Sequence, residues 1–214
     1  MPDTVHLLLT LLQVIQTSIV PITHEAILLG NPLFGAAILS RSNLQPLTIS
    51  TNNGTVSPLL HGELNCIQQY FTVTFPNRDC RPNPGNDTIF LATHEPCSLC
   101  LSAIAWAGFH EFYYLFTHEE SRDLFGFGGD IDILEQVFRV QGHETQDQVR
   151  HRALYNRDNN YFSGRSIADM IEKLDNATAK SMLAKKMQDV KGIYNGLHQE
   201  WLNVTHANQS SSTS

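Results

Sequence analysis

Basic side chains are scarce in the first two thirds of this 214-residue chain. Residues 1–138 contain four of the 14 Lys and Arg but 13 of the 21 Asp and Glu, a net charge of −9. Residues 139–214 carry a slight basic excess of +2, so the whole chain sums to −7. A surface that binds a polyanion needs a clustered basic face. The composition therefore argues against nucleic acid as a partner and favours a small-molecule substrate.

Cysteine is also sparse, with four residues, and two of them, Cys97 and Cys100, stand three positions apart. That spacing indicates a metal or redox site rather than a disulfide framework. Apolar residues make up 42% of the chain and charged residues 16%, which excludes an intrinsically disordered protein.

The N-terminal apolar run, from Val5 to Ile15, lacks the basic flank and the small-residue cleavage site of a signal peptide. It is also shorter than a membrane span. Its apolar positions recur at helical spacing, so we expect a first helix over residues 5–19 that packs on the core. We expect a cytoplasmic protein that does not contact a membrane.

Short apolar runs alternate with amphipathic segments over residues 21–138. A second helix is predicted over residues 21–29, and Trp106 and the aromatic run 112–116 are predicted to lie in the core. Strands are predicted over residues 33–39, 47–51, 88–93 and 111–117, and helices over residues 61–71, 97–107 and 130–138. This alternation predicts a layered α/β domain.

The pattern changes near residue 141. Residues 142–165 are polar and irregular, Ser166 is a plausible N-cap with Asp169 three positions on, and a long helix is predicted over residues 177–201. The Ser- and Asn-rich tail from about residue 205 is predicted to be disordered. We divide the chain into a domain over residues 1–140 and a mostly helical C-terminal extension over residues 141–214.

Two motifs carry the chemistry, His61-Gly62-Glu63 and Pro96-Cys97-Ser98-Leu99-Cys100. Two thiolates at positions i and i+3 of a helix face one side and suit two of the four positions of tetrahedral zinc. A histidine at another helix start supplies a third ligand, which leaves one position for water, as in catalytic zinc sites. Taken alone, the Cys-x-x-Cys pair also fits a structural zinc half-site or a redox pair.

Glu63 completes the arrangement because it stands two residues from His61 and can reach a water on the metal without ligating the metal itself. Zinc lowers the pKa of its bound water to about 7, which gives hydroxide at neutral pH. Glu63 can take the water proton and pass it to a ring nitrogen and then to the departing amine. We therefore predict one Zn²⁺ per chain and a metal-bound hydroxide that attacks an amino-bearing ring carbon with release of ammonia.

These residues match the H-x-E and P-C-x-x-C signature of zinc deaminases. Over about residues 21–138 the sequence resembles the cytidine/cytosine deaminase superfamily of CMP/dCMP-type zinc enzymes. Residues 31–39 look like the family's first strand, and His61-Gly62-Glu63 looks like the yeast cytosine deaminase form. The segment from Glu95 to Cys100 is similar to the branch of guanine deaminases and tRNA adenosine deaminases. The resemblance implies a three-layer α/β/α sandwich, with a mixed five-stranded sheet between helices, and a homodimer.

The resemblance also implies substrate contacts. The family places an asparagine on the loop before the metal histidine, and guanine deaminases carry an acidic residue after the fourth strand that reads the purine edge. The same asparagines also make a good turn with Gly54, and acidic residues in that position are most often solvated. His94 stands where the family usually has a small or apolar residue. The candidate contacts are Phe34, Asn52, Asn53, His94, Glu120 and Asp123.

Three functions are compatible with the sequence. The first is zinc-dependent hydrolytic deamination of a small aminated heterocycle, such as a nucleobase, a nucleoside or an analogue. The second is a tRNA or RNA adenosine deaminase, for which the C-terminal helices would have to supply a basic groove from Lys180, Lys185, Lys186 and Lys191. The third is a catalytically silent homologue that keeps zinc as a structural element, and the intact Glu63 argues against it.

Overall fold

A single mixed sheet organises the protein, whose structure is a computed structural model that describes residues 3–211. The strands are β1 (Gly35–Ser40), β2 (Pro46–Thr51), β3 (Thr88–His94), β4 (Glu111–Phe116) and β5 (Ser163–Ser166). Their order across the sheet is β2-β1-β3-β4-β5. β1 runs antiparallel to β2 and β3, whereas β3, β4 and β5 run parallel to one another.

Helices connect the strands and cover the sheet. They are α1 (Thr4–Val14), α2 (Val20–Leu28), α3 (Gly62–Gln69), α4 (Pro84–Asp87), α5 (Ser98–Ala107), α6 (His118–Phe125), α7 (Gly129–Ile133), α8 (Gln146–His151), α9 (Ile167–Glu172) and α10 (Ala177–Ser211). Three of them continue into a π-helical turn, over Ile15–Ile19, Tyr70–Thr74 and Leu134–Phe138.

The two faces of the sheet have separate cores because neighbouring strand residues point to opposite sides. Ala37 and Leu91 belong to the core that α1, α2, α9 and α10 cover. Ile38 and Phe90 belong to the core that α3 and α5 cover. The predicted three-layer α/β/α sandwich with a mixed five-stranded sheet is therefore confirmed.

The N-terminal helix is longer than the sequence predicted. α1, the π-helical turn and α2 form one helix over Thr4–Leu28. By length and composition alone this helix could cross a membrane, so the prediction that the N-terminal apolar segment is too short for a membrane span was wrong. Pro21 does not end it, because the π-helical turn just before this proline rearranges the backbone hydrogen bonds: the Val20 N–H reaches back to the Ile15 carbonyl. Leu8 and Ile19 are fully buried in the core.

The C-terminal extension is built into the fold. It supplies β5 at the sheet edge, and Ser166 caps α9 as predicted, with Oγ accepting from the Asp169 N–H at 3.3 Å. α10 continues through residues 205–211, where the sequence predicted disorder, and Thr205 Oγ1 donates to the Trp201 carbonyl at 2.8 Å. The division at residue 140 stays a prediction.

Trp106 is not a core residue, because 91% of it is exposed. The face of α5 that meets the sheet is made of Cys100, Leu101 and Ile104, and Trp106 lies on the opposite face of that helix. The aromatic run of β4 is buried as predicted.

Candidate active site

The ends of two helices meet where β3 ends and β1 begins. His61 is the N-cap of α3, and Cys97 is the N-cap of α5. Pro96 favours an extended backbone before it and so separates β3 from α5. The start of α3 is held by Asn52, whose Oδ1 accepts a 2.7 Å hydrogen bond from the Gly62 N–H. That bond satisfies one of the free donors at the helix N-terminus.

The three predicted metal ligands converge. His61 Nδ1 lies 3.5 Å from Cys97 Sγ and 3.7 Å from Cys100 Sγ. All three ligand atoms lie within 4.8 Å of one another. Zinc bonds of about 2.0–2.3 Å in a tetrahedron separate nitrogen and sulfur ligands by about 3.5–3.8 Å. The donor set and its spacing therefore fit zinc.

The electrostatics of the cluster favour a thiolate at Cys97. Hydrogen bonds from Cys100 and His61 outweigh burial and lower the pKa of Cys97 to about 4. The hydrogen bond with Cys97 raises the pKa of His61 to about 9. The pair thus carries a thiolate, which is the form in which cysteine binds metals.

Glu63 is a fully buried carboxylate beside this cluster. Its Oε2 accepts from Cys100 Sγ at 3.6 Å, and its Oε1 has no hydrogen-bond partner within the described residues. Burial raises the pKa of Glu63 to about 8. A buried carboxylate with an unsatisfied oxygen is costly, so its presence indicates a functional role.

A cavity of about 460 Å³ opens beside the cluster. His61 lines it together with Phe34, Asn52, His94 and Asp130. The rings of Phe34 and His94 stack with centroids 4.2 Å apart. This volume is within the range of pockets that hold small molecules.

The family model for the cytidine and deoxycytidylate deaminase zinc-binding region matches residues 15–116. The matched region is 102 of the 214 residues, and over it the chain is similar to the cytidine and deoxycytidylate deaminases. The match contains the histidine and the two cysteines of the cluster, and it ends at the last residue of β4. No curated protein sequence is significantly similar to the whole chain.

Solved structures of deaminases are similar to this chain at low identity. Guanine deaminase from Bacillus subtilis is 22% identical, with 67% of this chain and 94% of that chain covered and a TM-score of 0.46. Guanine deaminase from Nitrosomonas europaea is 15% identical, with 79% and 81% covered and a TM-score of 0.44. A tRNA:A34 deaminase is 20% identical, with 46% and 71% covered and a TM-score of 0.38. None of these values identifies a substrate for this protein.

The predicted substrate contacts separate into two groups in this deaminase fold. Phe34, Asn52 and His94 line the cavity. Asn53, one residue further on, does not: its Oδ1 accepts from Thr55 Oγ1 at 3.3 Å. The sequence left Asn52 and Asn53 as equal candidates, and the cavity favours Asn52.

The two predicted acidic contacts lie away from the cavity because residues 118–125 form α6 rather than a loop. Glu120 closes the capping box of that helix with Thr117 and pairs with Lys191. Asp123 is exposed and pairs with Arg122 at 2.7 Å.

Asp130 is the acidic residue that lines the cavity, and the sequence did not predict it. Its Oδ2 lies 3.7 Å from His94 Nε2, and burial raises the pKa of Asp130 to about 6. The sequence offered one signal: Asp130 follows Gly128-Gly129 at the start of a helix, where an acidic side chain is favoured.

Proposed function

We propose that this protein is a zinc-dependent hydrolytic deaminase of a small aminated heterocycle, such as a nucleobase, a nucleoside or an analogue. It would hydrolyse the exocyclic C–N bond of a cyclic amidine and release ammonia. The buried Glu63 carboxylate carries this proposal: it lies beside His61, Cys97 and Cys100, and its Oε1 accepts no hydrogen bond from the described residues. A cytoplasmic homodimer is part of the same proposal.

His61, Cys97 and Cys100 would hold the metal, since they are the group of three whose ligand atoms converge. Zinc, when bound, would supply a Lewis acid that activates water near the amino-bearing ring carbon. A purely structural zinc site does not need a buried acidic side chain next to its ligands, so Glu63 favours a catalytic zinc site over a structural one.

Glu63 is the group that moves protons. Its Oε1 accepts no hydrogen bond from the described residues and lies 3.4 Å from His94 Nδ1. Burial raises the pKa of Glu63 to about 8, which suits a group that takes a proton and returns it to a ring nitrogen or to the leaving amine. One carboxyl group then acts as base and as acid in turn.

Asn52 and His94 would orient the substrate. Asn52 Oδ1 is occupied by the Gly62 N–H, and its Nδ2 has no partner among residues 3–211, so this amide can donate to a ring acceptor. His94 lies between two carboxylates, with Nδ1 3.4 Å from Glu63 Oε1 and Nε2 3.7 Å from Asp130 Oδ2. The stack of Phe34 on His94 gives the cavity a flat aromatic wall that suits a planar ring.

The polynucleotide alternative draws little support from α10. Three of its lysines are engaged within the protein: Lys180 with Glu172, Lys186 with Gln16 and Lys191 with Glu120. Side chains used in this way do not form an open basic groove.

Ammonia release by zinc-loaded protein tests the proposal. The panel holds cytosine, guanine, adenine, their nucleosides and nucleotides, and creatinine-like heterocycles. Glu63→Gln keeps the shape of the side chain but removes its acid and base chemistry, so we expect a kcat lower by roughly 10²–10⁴-fold with zinc still bound. Glu25→Gln, which changes an exposed carboxylate, is the matched control and should keep full activity.

Three results bear on the proposal. Release from one compound that is lost in Glu63→Gln but not in Glu25→Gln would support it. Equal release by Glu63→Gln and the native protein would contradict it. Stoichiometric zinc with no release from any compound would favour the structural homologue or a substrate outside the panel.

A further inference from the structure

A second and larger cavity lies on the other side of α7 from the candidate active site. Its volume is about 940 Å³. Asp130 in α7 lines the active-site cavity, and its neighbour Ile131 lines the larger one. A single helical turn therefore separates the two.

Arginine dominates the wall of this cavity, which we call the arginine cleft. Five of the nine arginines of the chain line it, together with His151 and three glutamates. This basic cluster stands out in a chain with a net charge of −7. The five are Arg122, Arg139, Arg150, Arg152 and Arg157.

Several of these guanidinium groups have donors to spare. Arg150 forms no side-chain hydrogen bond or ion pair with any described residue. Nε of Arg139 is buried and has no partner within residues 3–211. Within residues 3–211, Arg122 is bound only to Asp123, through one nitrogen, and about half of its side chain is exposed. Each guanidinium has five N–H donors, so the cleft can offer many hydrogen bonds to an anion.

The glutamates of the cleft oppose an anion only weakly. Glu95 is buried and already accepts from Tyr155 Oη and Arg157 Nε, both at 2.8 Å. Glu135 pairs with Arg139 at 2.9 Å. Glu119 has no ion-pair partner among residues 3–211. Two further acidic groups pair with arginines of the cleft, Asp123 with Arg122 and Glu144 with Arg152, both at 2.7 Å. Arg150 is therefore the guanidinium of the cleft that has no acidic partner among the described residues.

The cleft also has an aromatic side. Phe138, at 58% exposure, and the ring of Tyr155 line it. An exposed aromatic side chain next to a row of arginines provides a platform on which a planar ring can stack while its charged groups reach the guanidinium groups.

We propose that the arginine cleft binds a nucleotide, with its phosphates on Arg122 and Arg150 and its ring near Phe138. Guanidinium groups hold phosphate oxygens through two parallel charge-assisted hydrogen bonds, which makes arginine the residue most suited to this ligand. The inference goes beyond the proposed deaminase activity and does not depend on it, since α7 separates the cleft from the candidate active site.

Isothermal titration calorimetry at fixed ionic strength tests this site. The probes are inorganic phosphate, pyrophosphate, and adenosine with its mono- and triphosphate, added to zinc-loaded and to metal-stripped full-length protein. We expect the triphosphate to bind best, the nucleoside to bind not at all, and the affinity to be the same with and without metal. Arg150→Ala and Arg122→Ala should each weaken triphosphate binding about tenfold, because each removes charged hydrogen bonds.

Arg78→Ala is the matched control, since it removes an exposed arginine outside the cleft and should change the affinity less than twofold. Phe138→Ala should weaken the nucleotides but not pyrophosphate. The proposal is overturned if the Arg122 and Arg150 variants bind like the native protein. Equal binding of adenosine and its triphosphate, or binding of an oligonucleotide but of no mononucleotide, would overturn it as well.

Discussion

Replacing Gly62 with alanine tests whether the helix that carries His61 and Glu63 rests directly on the sheet. A Cβ at this position would lie 2.7 Å from the Gly35 Cα and 3.0 Å from the Phe34 carbonyl oxygen. Both neighbours are backbone atoms of the segment that enters β1, so they cannot rotate out of the way. The start of α3 would have to move away from the sheet, and the metal ligand would move with it.

The size of the effect follows from two opposing contributions. Alanine is favoured over glycine in a helix by about 0.8–1.0 kcal/mol. Forcing an extra group into a packed site costs about 1–3 kcal/mol, and more against rigid backbone. We expect Gly62→Ala to lower the free energy of unfolding by about 2 kcal/mol, and the Tm by about 4–8 °C for a domain of this size. Its zinc affinity should fall as well.

Gly192→Ala is the control, because Gly192 lies on the exposed side of α10 and a Cβ there meets nothing within 4 Å. This variant should gain up to about 1 kcal/mol. Thermal unfolding by circular dichroism measures stability, and competition with a chromogenic chelator measures zinc affinity. A Gly62→Ala protein that melts at or above the native temperature with unchanged zinc affinity would refute the close contact between α3 and β1.

Three further predictions concern the same fold. Asn52→Ala, which deletes the acceptor of the Gly62 N–H, should lower the free energy of unfolding in urea by about 1 kcal/mol and raise KM. Asn53→Ala should change neither the free energy of unfolding nor KM. An Asn52→Ala protein with unchanged stability would contradict the capping role. Trp106→Glu should turn the proposed homodimer into a monomer by light scattering, while Leu124→Glu, at another exposed apolar position, should not. A chelator should lower the Tm of the native protein but not of Cys97→Ser, because an ion that binds only the folded arrangement stabilises it.

The parts of the fold that the sequence predicted are those with a periodic apolar pattern. β1, β3, β4 and α5 bury mainly apolar side chains, and their positions follow from that pattern. β2 buries Thr48 and Ser50 instead, and it was predicted from its β-branched residues. The metal cluster was predictable for a different reason. Zinc is commonly bound by His nitrogen and Cys sulfur at characteristic spacings, and few such sets occur in a chain with four cysteines.

The elements that the sequence did not predict lack such an apolar pattern. β5 is Ser163-Gly164-Arg165-Ser166, an edge strand held by its backbone pairing with β4. α6 buries only its two ends and one serine between them, so its acidic residues resemble a solvated loop. Asp130 lies at the cavity only because α6 and the following turn bring the chain back toward His94, which no local pattern records.

The pairing of the first and last helices affects how the chain is made. The apolar side of α1 and α2 packs against α10, whose buried residues Leu183, Val190 and Tyr194 are synthesised well after those of α1 and α2. On the ribosome the N-terminal helix therefore emerges long before its partner, with its apolar side chains facing water throughout translation. A nascent chain of this kind is a natural client for chaperones that recognise exposed apolar helices. A stop codon just before α10 would leave that surface permanently uncovered and the product prone to aggregation.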